Sequence, residues 1–343
     1  MRYSINGITF NVEELKSVKL DQLKESSILD AHLFFQPVKA MKPILLLKAG
    51  DIVEAEFLEK YKTQNIESLC SLPLSAGQSN YQECFSRFTN AENEIERQIV
   101  AQEIVELFMN DFYLENENIS FLSYSKFCFE YFYSLPTKVA TNLSSKSLVL
   151  FSRAHLCASL GIMTCLVNKI VDPAFLKDFY NVIFCMDIGL LDEGELSYSV
   201  LDACERERVS HGGIDFLKNQ KRPQREIDLF INHPRRSVAI LEKYKSYFNS
   251  PEIIDFIKYH HEKADGSGFP DKIPYDSITN IETFLNFSDF IIPFRSIDYF
   301  IGDGRSIIKD AFDSLEKEKS REIEKKVFEK YNKVIIWKQG DAA

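Results

Sequence analysis

Tyr259-His260-His261-Glu262-Lys263-Ala264-Asp265-Gly266-Ser267-Gly268-Phe269-Pro270 closes an apolar-periodic segment that carries Ile253, Ile254 and Ile257. On a helix, His260 falls on the face of these isoleucines, three residues after Ile257 and seven after Ile253. His261 and Glu262 follow directly. Gly266 and Gly268, with Ser267 between them, predict a tight turn, and Pro270 prevents helical continuation. Two imidazoles at the inner end of a helix, closed by a stiff Gly/Pro loop, suit a metal site.

Working outward, four further segments carry chemistry. In Val182-Ile183-Phe184-Cys185-Met186-Asp187-Ile188-Gly189-Leu190-Leu191 a single carboxylate sits inside an apolar run. Burying an unpaired charge costs several kcal/mol, so Asp187 needs a metal, a cation or a proton. His233 follows Leu229 and Phe230 at helical spacing and precedes Pro234-Arg235-Arg236-Ser237. Arg153-Ala154-His155-Leu156 lies in an Ala/Leu-rich helical stretch. Asp289 lies 28 residues after His261, on another apolar helical pattern with Phe284, Leu285 and Phe287.

These segments resemble, in order and spacing, the HD-GYP family of bacterial metal-dependent phosphodiesterases that hydrolyse cyclic di-GMP. HHExxDGSGFP matches the family's HHExxDGxGYP, with Phe269 in place of tyrosine. Asp187-Ile188-Gly189 matches the core of HDIGK, with Met186 and Leu190 replacing histidine and lysine. His233-Pro234-Arg235-Arg236-Ser237-Val238-Ala239-Ile240-Leu241 resembles HPxxGxxIL, with Ser237 for glycine. The likeness covers about 155 to 300. It implies an HD-type helical bundle with an inward histidine or aspartate on each of several helices. One metal would be held by Asp187, His233, His260 and His261. A second would use His155, Asp187, Asp289 and the histidine lost to Met186. Phe151 stands where some members carry a glutamate for a third metal, so the resemblance implies no third metal here. The cofactor implied is a divalent metal, iron or manganese, with one site well formed and the second doubtful.

The family's lysine, its loop tyrosine and its RPYR arginines are absent here; the last place reads Phe294-Arg295-Ser296-Ile297-Asp298-Tyr299. Losing one electrostatic stabiliser costs about 2.7–4 kcal/mol in a barrier. The resemblance therefore implies a divergent member of cyclic di-GMP signalling, with weak or absent phosphodiesterase activity and a binding or regulatory role. The alternative is an active cyclic di-GMP phosphodiesterase. Gly266, Ser267, Gly268, Phe269 and Pro270 form the implied substrate loop, Arg235 and Arg236 are candidate phosphate contacts, and Asp187 is the candidate catalytic residue. His211, in Ser210-His211-Gly212-Gly213, reads as a loop histidine.

The 343 residues carry a net charge of −10 and 45% hydrophobic residues. This balance points to a folded chain and away from general DNA or RNA binding, which needs a basic face. A small anionic nucleotide or a protein partner remains compatible. Seven cysteines, Cys70, Cys84, Cys128, Cys157, Cys165, Cys185 and Cys204, form no CxxC pair and read as reduced thiols in a cytoplasmic protein. No signal peptide is visible, and no apolar run is expected to reach the ~20 residues of a membrane helix.

The expected fold is mainly α with a small N-terminal α/β module, divided as 1–75 (module), 76–140 (helical linker) and 141–343 (helical domain). In the module, Asn6-Gly7 between Tyr3-Ser4-Ile5 and Ile8-Thr9-Phe10 predicts a hairpin. Ile44–Leu47 and Ile66–Leu72 read as strands, Gly50-Asp51 opens a helix through Tyr61, and His32 reads as structural. Residues 91–112 form a helix with a stripe of Ile95, Ile99, Val100, Leu107 and Phe108, which packs internally or pairs with a second copy as a homodimer. Leu315 to about Lys333 reads as a charged surface helix.

Overall fold

The computed structural model describes residues 2–25, 27–37, 42–73, 78–113, 121–191, 200, 205–206, 219, 221–263, 265–273, 279–294, 326–327 and 329. His211, Arg295 and the surrounding 295–300 segment, Cys204, and nearly all of the charged C-terminal helix lie outside these residues.

The chain is mainly α, preceded by small antiparallel sheets. Strands β1 (Arg2–Ile5) and β2 (Ile8–Asn11) pair antiparallel around Asn6 and Gly7, both at positive φ (51° and 85°), as an Asn-Gly hairpin turn requires. A second sheet has the order β3-β6-β4-β5, all antiparallel, from β3 (Lys16–Lys19), β4 (Ala31–Phe35), β5 (Ile44–Leu47) and β6 (Ser68–Pro73). Helix α1 (Ala55–Thr63) covers it through Leu58 and Tyr61. It starts several residues after Gly50-Asp51, because Asp51 is engaged as an acceptor from the Lys48 amide at 2.6 Å. His32 is buried and its Nδ1 accepts the Ala49 N–H at 3.1 Å.

The helices follow: α2 (Gln78–Asn90), α3 (Glu94–Tyr113), α4 (Phe121–Phe132), α5 (Thr137–Lys146), α6 (Leu148–Val167), α7 (Pro173–Phe184), α8 (Gln224–Leu241) and α9 (Asn280–Ile291). On α3 the inward stripe is Val100, Ala101, Ile104, Val105, Phe108 and Met109. Ile95 and Ile99, expected within the stripe, are exposed at 73% and 57%. Helix α2, unmarked in the sequence reading, fills the space beside α3 and α4 with Phe85 and Phe88.

Helix α6 is the axis. It is long and apolar enough by composition to cross a membrane, contrary to the sequence reading, but 89% of its apolar window is buried inside the protein. It packs against α3, α4, α5, α7 and α9, so its burial is already satisfied by protein. Ser147 caps its start by accepting the Leu150 N–H at 3.3 Å, and Asp172 with Pro173 caps α7 in the same way. Neighbouring residues of α4 join the sheets to this axis. Lys126 pairs with Asp30 at 3.0 Å, and Ser125 donates to the His155 carbonyl on α6 at 3.3 Å.

Two devices place the site. Buried Asp178 on α7 accepts from the amides of Asn249 (3.1 Å) and Ser250 (2.8 Å), anchoring the start of the helix that delivers His260. That helix, Pro251–Tyr259, is 3-10 rather than α. With three residues per turn, Ile254, Ile257 and His260 eclipse one another, so the imidazole lines up with the buried isoleucines. Second, a 3-10 turn at Ile188–Leu190 presses on α8. A Cβ at Gly189 would meet the His233 carbonyl oxygen at 2.3 Å and the Ser237 nitrogen at 2.8 Å. Ser237 Oγ donates to the Met186 carbonyl (2.7 Å) and accepts the Gly189 N–H (2.9 Å), riveting the two elements.

Gly189→Ala pushes a methyl against backbone atoms that cannot yield. We expect it to destabilise the protein by about 1–3 kcal/mol, read as a lowered midpoint in thermal or urea unfolding.

Candidate metal centre

Asp187, His233, His260 and His261 are all buried, and one ligating atom from each lies within 4.8 Å of the others. His233 Nε2 lies 3.2 Å from His260 Nε2 and 3.1 Å from His261 Nε2. Asp187 Oδ1 lies 3.4 Å from His233 Nε2 and 3.7 Å from His260 Nε2. Metal–nitrogen bonds of 2.0–2.1 Å in a tetrahedron separate ligand atoms by about 3.3 Å. The four atoms therefore stand close to the edges of a coordination polyhedron.

The rings are held from behind. Pro234 has no N–H to give the Phe230 carbonyl four residues earlier. His233 Nδ1–H donates to that carbonyl instead, at 2.5 Å. His260 Nδ1–H donates to the Ile257 carbonyl at 2.7 Å. Protons on Nδ1 leave the Nε2 lone pairs pointing at each other and at Asp187 Oδ1, which accepts no hydrogen bond despite full burial. Converging lone pairs and an orphaned carboxylate oxygen repel unless a cation lies among them. The donor set, three imidazoles and a carboxylate, fits a divalent transition metal.

The Gly/Pro loop is folded down onto the histidines. Glu262 is buried, and its carboxylate accepts the amides of Asp271 (2.7 Å), Lys272 (3.1 Å) and Ile273 (3.0 Å). A Cβ at Gly268 would strike the backbone of residues 261–263 at 2.4–2.5 Å. Phe269 is 1% exposed and stacks on His261 with centroids 4.5 Å apart. Ser267 turns its hydroxyl to Asp265 at 2.6 Å. Phe269 is thus a wedge that fixes His261, not a substrate-facing side chain. Arg235 is exposed and paired with Asp271, and Arg236 is exposed.

Two expected ligands are placed elsewhere. His155 is fully buried in a box of Phe129, Phe151 and Phe184 (centroids 4.6, 4.6 and 5.2 Å), with neither ring nitrogen bonded. It is a core histidine, on the face of α6 turned from the cluster; burial pushes its pKa down to about 3. Asp289 stands one layer behind, its Oδ2 3.4 Å from His261 Nδ1.

The residue that takes their place is Arg153, two positions before His155. It is 1% exposed. Nη1 donates to Asp187 Oδ2. Nη2 donates to Asp289 Oδ1 (2.6 Å) and the Asp289 carbonyl (2.7 Å), and Nε donates to the Ile292 carbonyl at 3.0 Å. The guanidinium lies 3.6 Å over the Phe294 ring. Burial alone would raise the Asp187 pKa; Arg153 and the imidazoles of His233 and His260 outweigh it and hold the carboxyl well below the usual range. Burial pulls His260 down, but the nearby carboxylates of Asp187 and Asp289 leave it raised. His233 and His261 are lowered, chiefly by burial.

No protein-family profile and no curated protein matches this chain. Among solved structures it is similar to one described as "Bd1817, a HDG"Y"P protein from Bdellovibrio bacteriovorus", at 15% identity and a TM-score of 0.38, over 94% of this chain and 99% of that one. The reading of the centre rests on its own residues.

Two outcomes follow. Pro234→Ala restores a competing donor to the Phe230 carbonyl and frees the His233 ring, which should weaken metal affinity about tenfold or more, measured by competition with a chelating dye. His155 protonates near pH 6.5 in the unfolded chain and near 3 in the folded one, so it removes stability as pH falls through that window, up to about 5 kcal/mol. His155→Leu should hold stability flatter than wild type between pH 6.5 and 3 in urea titrations, with metal content unchanged.

Proposed function

We propose that this chain is a divergent HD-GYP-type protein whose centre holds one divalent metal on Asp187, His233, His260 and His261. In this reading it serves cyclic di-GMP signalling as a binding or regulatory module with little or no phosphodiesterase turnover. The observation that carries it is the convergence of three imidazole Nε2 atoms on the unpartnered Asp187 Oδ1. A bound metal would supply a Lewis acid for a phosphodiester oxygen or fix the helices that meet there.

Among the described residues, those at the family's other catalytic positions offer little for hydrolysis. Leu190, in the place of the family's lysine, is fully buried. Phe269 is packed on His261, and Arg235 is committed to Asp271. With Met186 buried in the place of the family's histidine and its carbonyl tied to Ser237, the described residues offer Asp187 no imidazole beyond those of the cluster to hold a second ion. Iron or manganese, and a cytoplasmic setting, belong to the same proposal. So does a division into the module 1–75, the linker 76–140 and the domain 141–343, with cyclic di-GMP or a related nucleotide, a protein partner or a second copy as its contacts.

Elemental analysis of purified protein, with His260→Ala as control, tests this. We expect about one metal per chain, lost in the variant, and no hydrolysis of cyclic di-GMP by metal-loaded protein. Two metals per chain, with turnover abolished in Asp187→Ala, would establish the phosphodiesterase reading instead.

A further inference from the structure

We propose that the Arg153 guanidinium is a built-in second cation: it occupies the position between Asp187 and Asp289 that a second metal ion would need, and so fixes the centre at one metal. The proposal rests on reading the Asp187–histidine cluster as a metal site.

Asp187 is a bridging carboxylate. Oδ1 faces the three imidazoles and Oδ2 receives Arg153 Nη1. Asp289 is shared likewise, with Oδ1 on Arg153 Nη2 and Oδ2 facing His261. The guanidinium therefore touches two carboxylates from separate elements, as a bridging ion would, and adds the carbonyls of Asp289 and Ile292. Phe294 covers one face of its plane, completing its desolvation. Two buried carboxylates with no cation carry two negative charges, which a protein interior does not tolerate. A permanently charged arginine cancels one of them at every pH and metal concentration. A metal ion would do so only when bound. Unlike a metal, a guanidinium has no open coordination position and cannot lower the pKa of a bound water.

The same feature makes removal of Arg153 informative. Arg153→Met keeps an unbranched apolar stem, deletes the charge, and releases Asp187 Oδ2 and Asp289 Oδ1 as ligands. Arg153→Lys keeps the charge. The experiment is a Mn²⁺ titration by calorimetry with elemental analysis, plus thermal unfolding in chelator and in Mn²⁺, on wild type, both variants and His260→Ala. We expect one equivalent for wild type and Arg153→Lys, and two for Arg153→Met. In chelator, Arg153→Met should lose about 10 °C in Tm, largely restored by Mn²⁺, whereas wild type should remain folded in both.

If Arg153→Met keeps a single equivalent and Mn²⁺ gives it no more rescue than wild type, Arg153 is a packing residue and the proposal falls. Two equivalents in wild type also overturn it, while leaving the histidine cluster a metal site. If wild type binds none, the cluster reading fails, and a gain of one equivalent in Arg153→Met still upholds the arginine's role. Should Arg153→Met not fold, Arg153→Met/Asp289→Asn removes the surplus charge. Recovery of folding in chelator supports charge replacement, and failure to recover overturns it.

Discussion

The structure depends on one electrostatic constraint. Two carboxylates from separate elements, Asp187 and Asp289, are buried against one side chain of helix α6, and the cation that reconciles them is Arg153, itself 1% exposed. Removing one partner of such a group is far more costly than the group's net contribution, because the charges left behind have no water to turn to. This explains why so many elements end at this point. Helix α6 brings the arginine, the Ile188–Leu190 turn follows Asp187, α9 brings Asp289, and the chain after α9 places a carbonyl and an aromatic face over the guanidinium.

Around this frame the histidines are set by backbone rather than by charge. Pro234 strips a donor from α8 and so orients His233. The tight pitch of the 3-10 helix eclipses His260 with Ile257, whose carbonyl takes the Nδ1 proton. His261 is held by Phe269 on its face and Asp289 at its edge. Each ring thus presents Nε2 inward for a separate local reason. The Gly266–Pro270 loop, legible as a turn, acts as the clamp over the set because Gly268 lets it touch the chain and Glu262 collects the three amides that directly follow the loop.

Much of this could be read from residue order. The Asn6-Gly7 hairpin, the strand at Ile44–Leu47 and the mainly helical remainder follow from local signals, whereas the grouping of Asp187 with His233, His260 and His261 is implied by the resemblance in motif order. What failed did so where tertiary packing overrides a local pattern. His155 fits a ligand motif, but helix α6 is buried all round, so inward-facing covers every face and the motif cannot tell which one meets the site. Ile95 and Ile99 share apolar spacing with each other, but they lie on the face of α3 opposite Val100, Ile104 and Phe108, which is the face that packing buries. Arg153 was open to discovery by the argument applied to Asp187: a lone charge in the middle of a twenty-residue apolar stretch must have a counter-charge. The spacing of the two, 34 residues apart with no shared motif, is why only the fold pairs them.

The contacts of α4 carry a mechanical implication. Lys126 holds Asp30 of the N-terminal sheets, and the adjacent Ser125 holds the carbonyl of His155, two residues from the arginine at the centre. The sheet assembly is thus fastened to α4, and α4 in turn to the helix that carries Arg153, by polar contacts on neighbouring residues. A displacement of the sheets would therefore be felt, through α4, by the helix that sets the position of the Arg153 guanidinium.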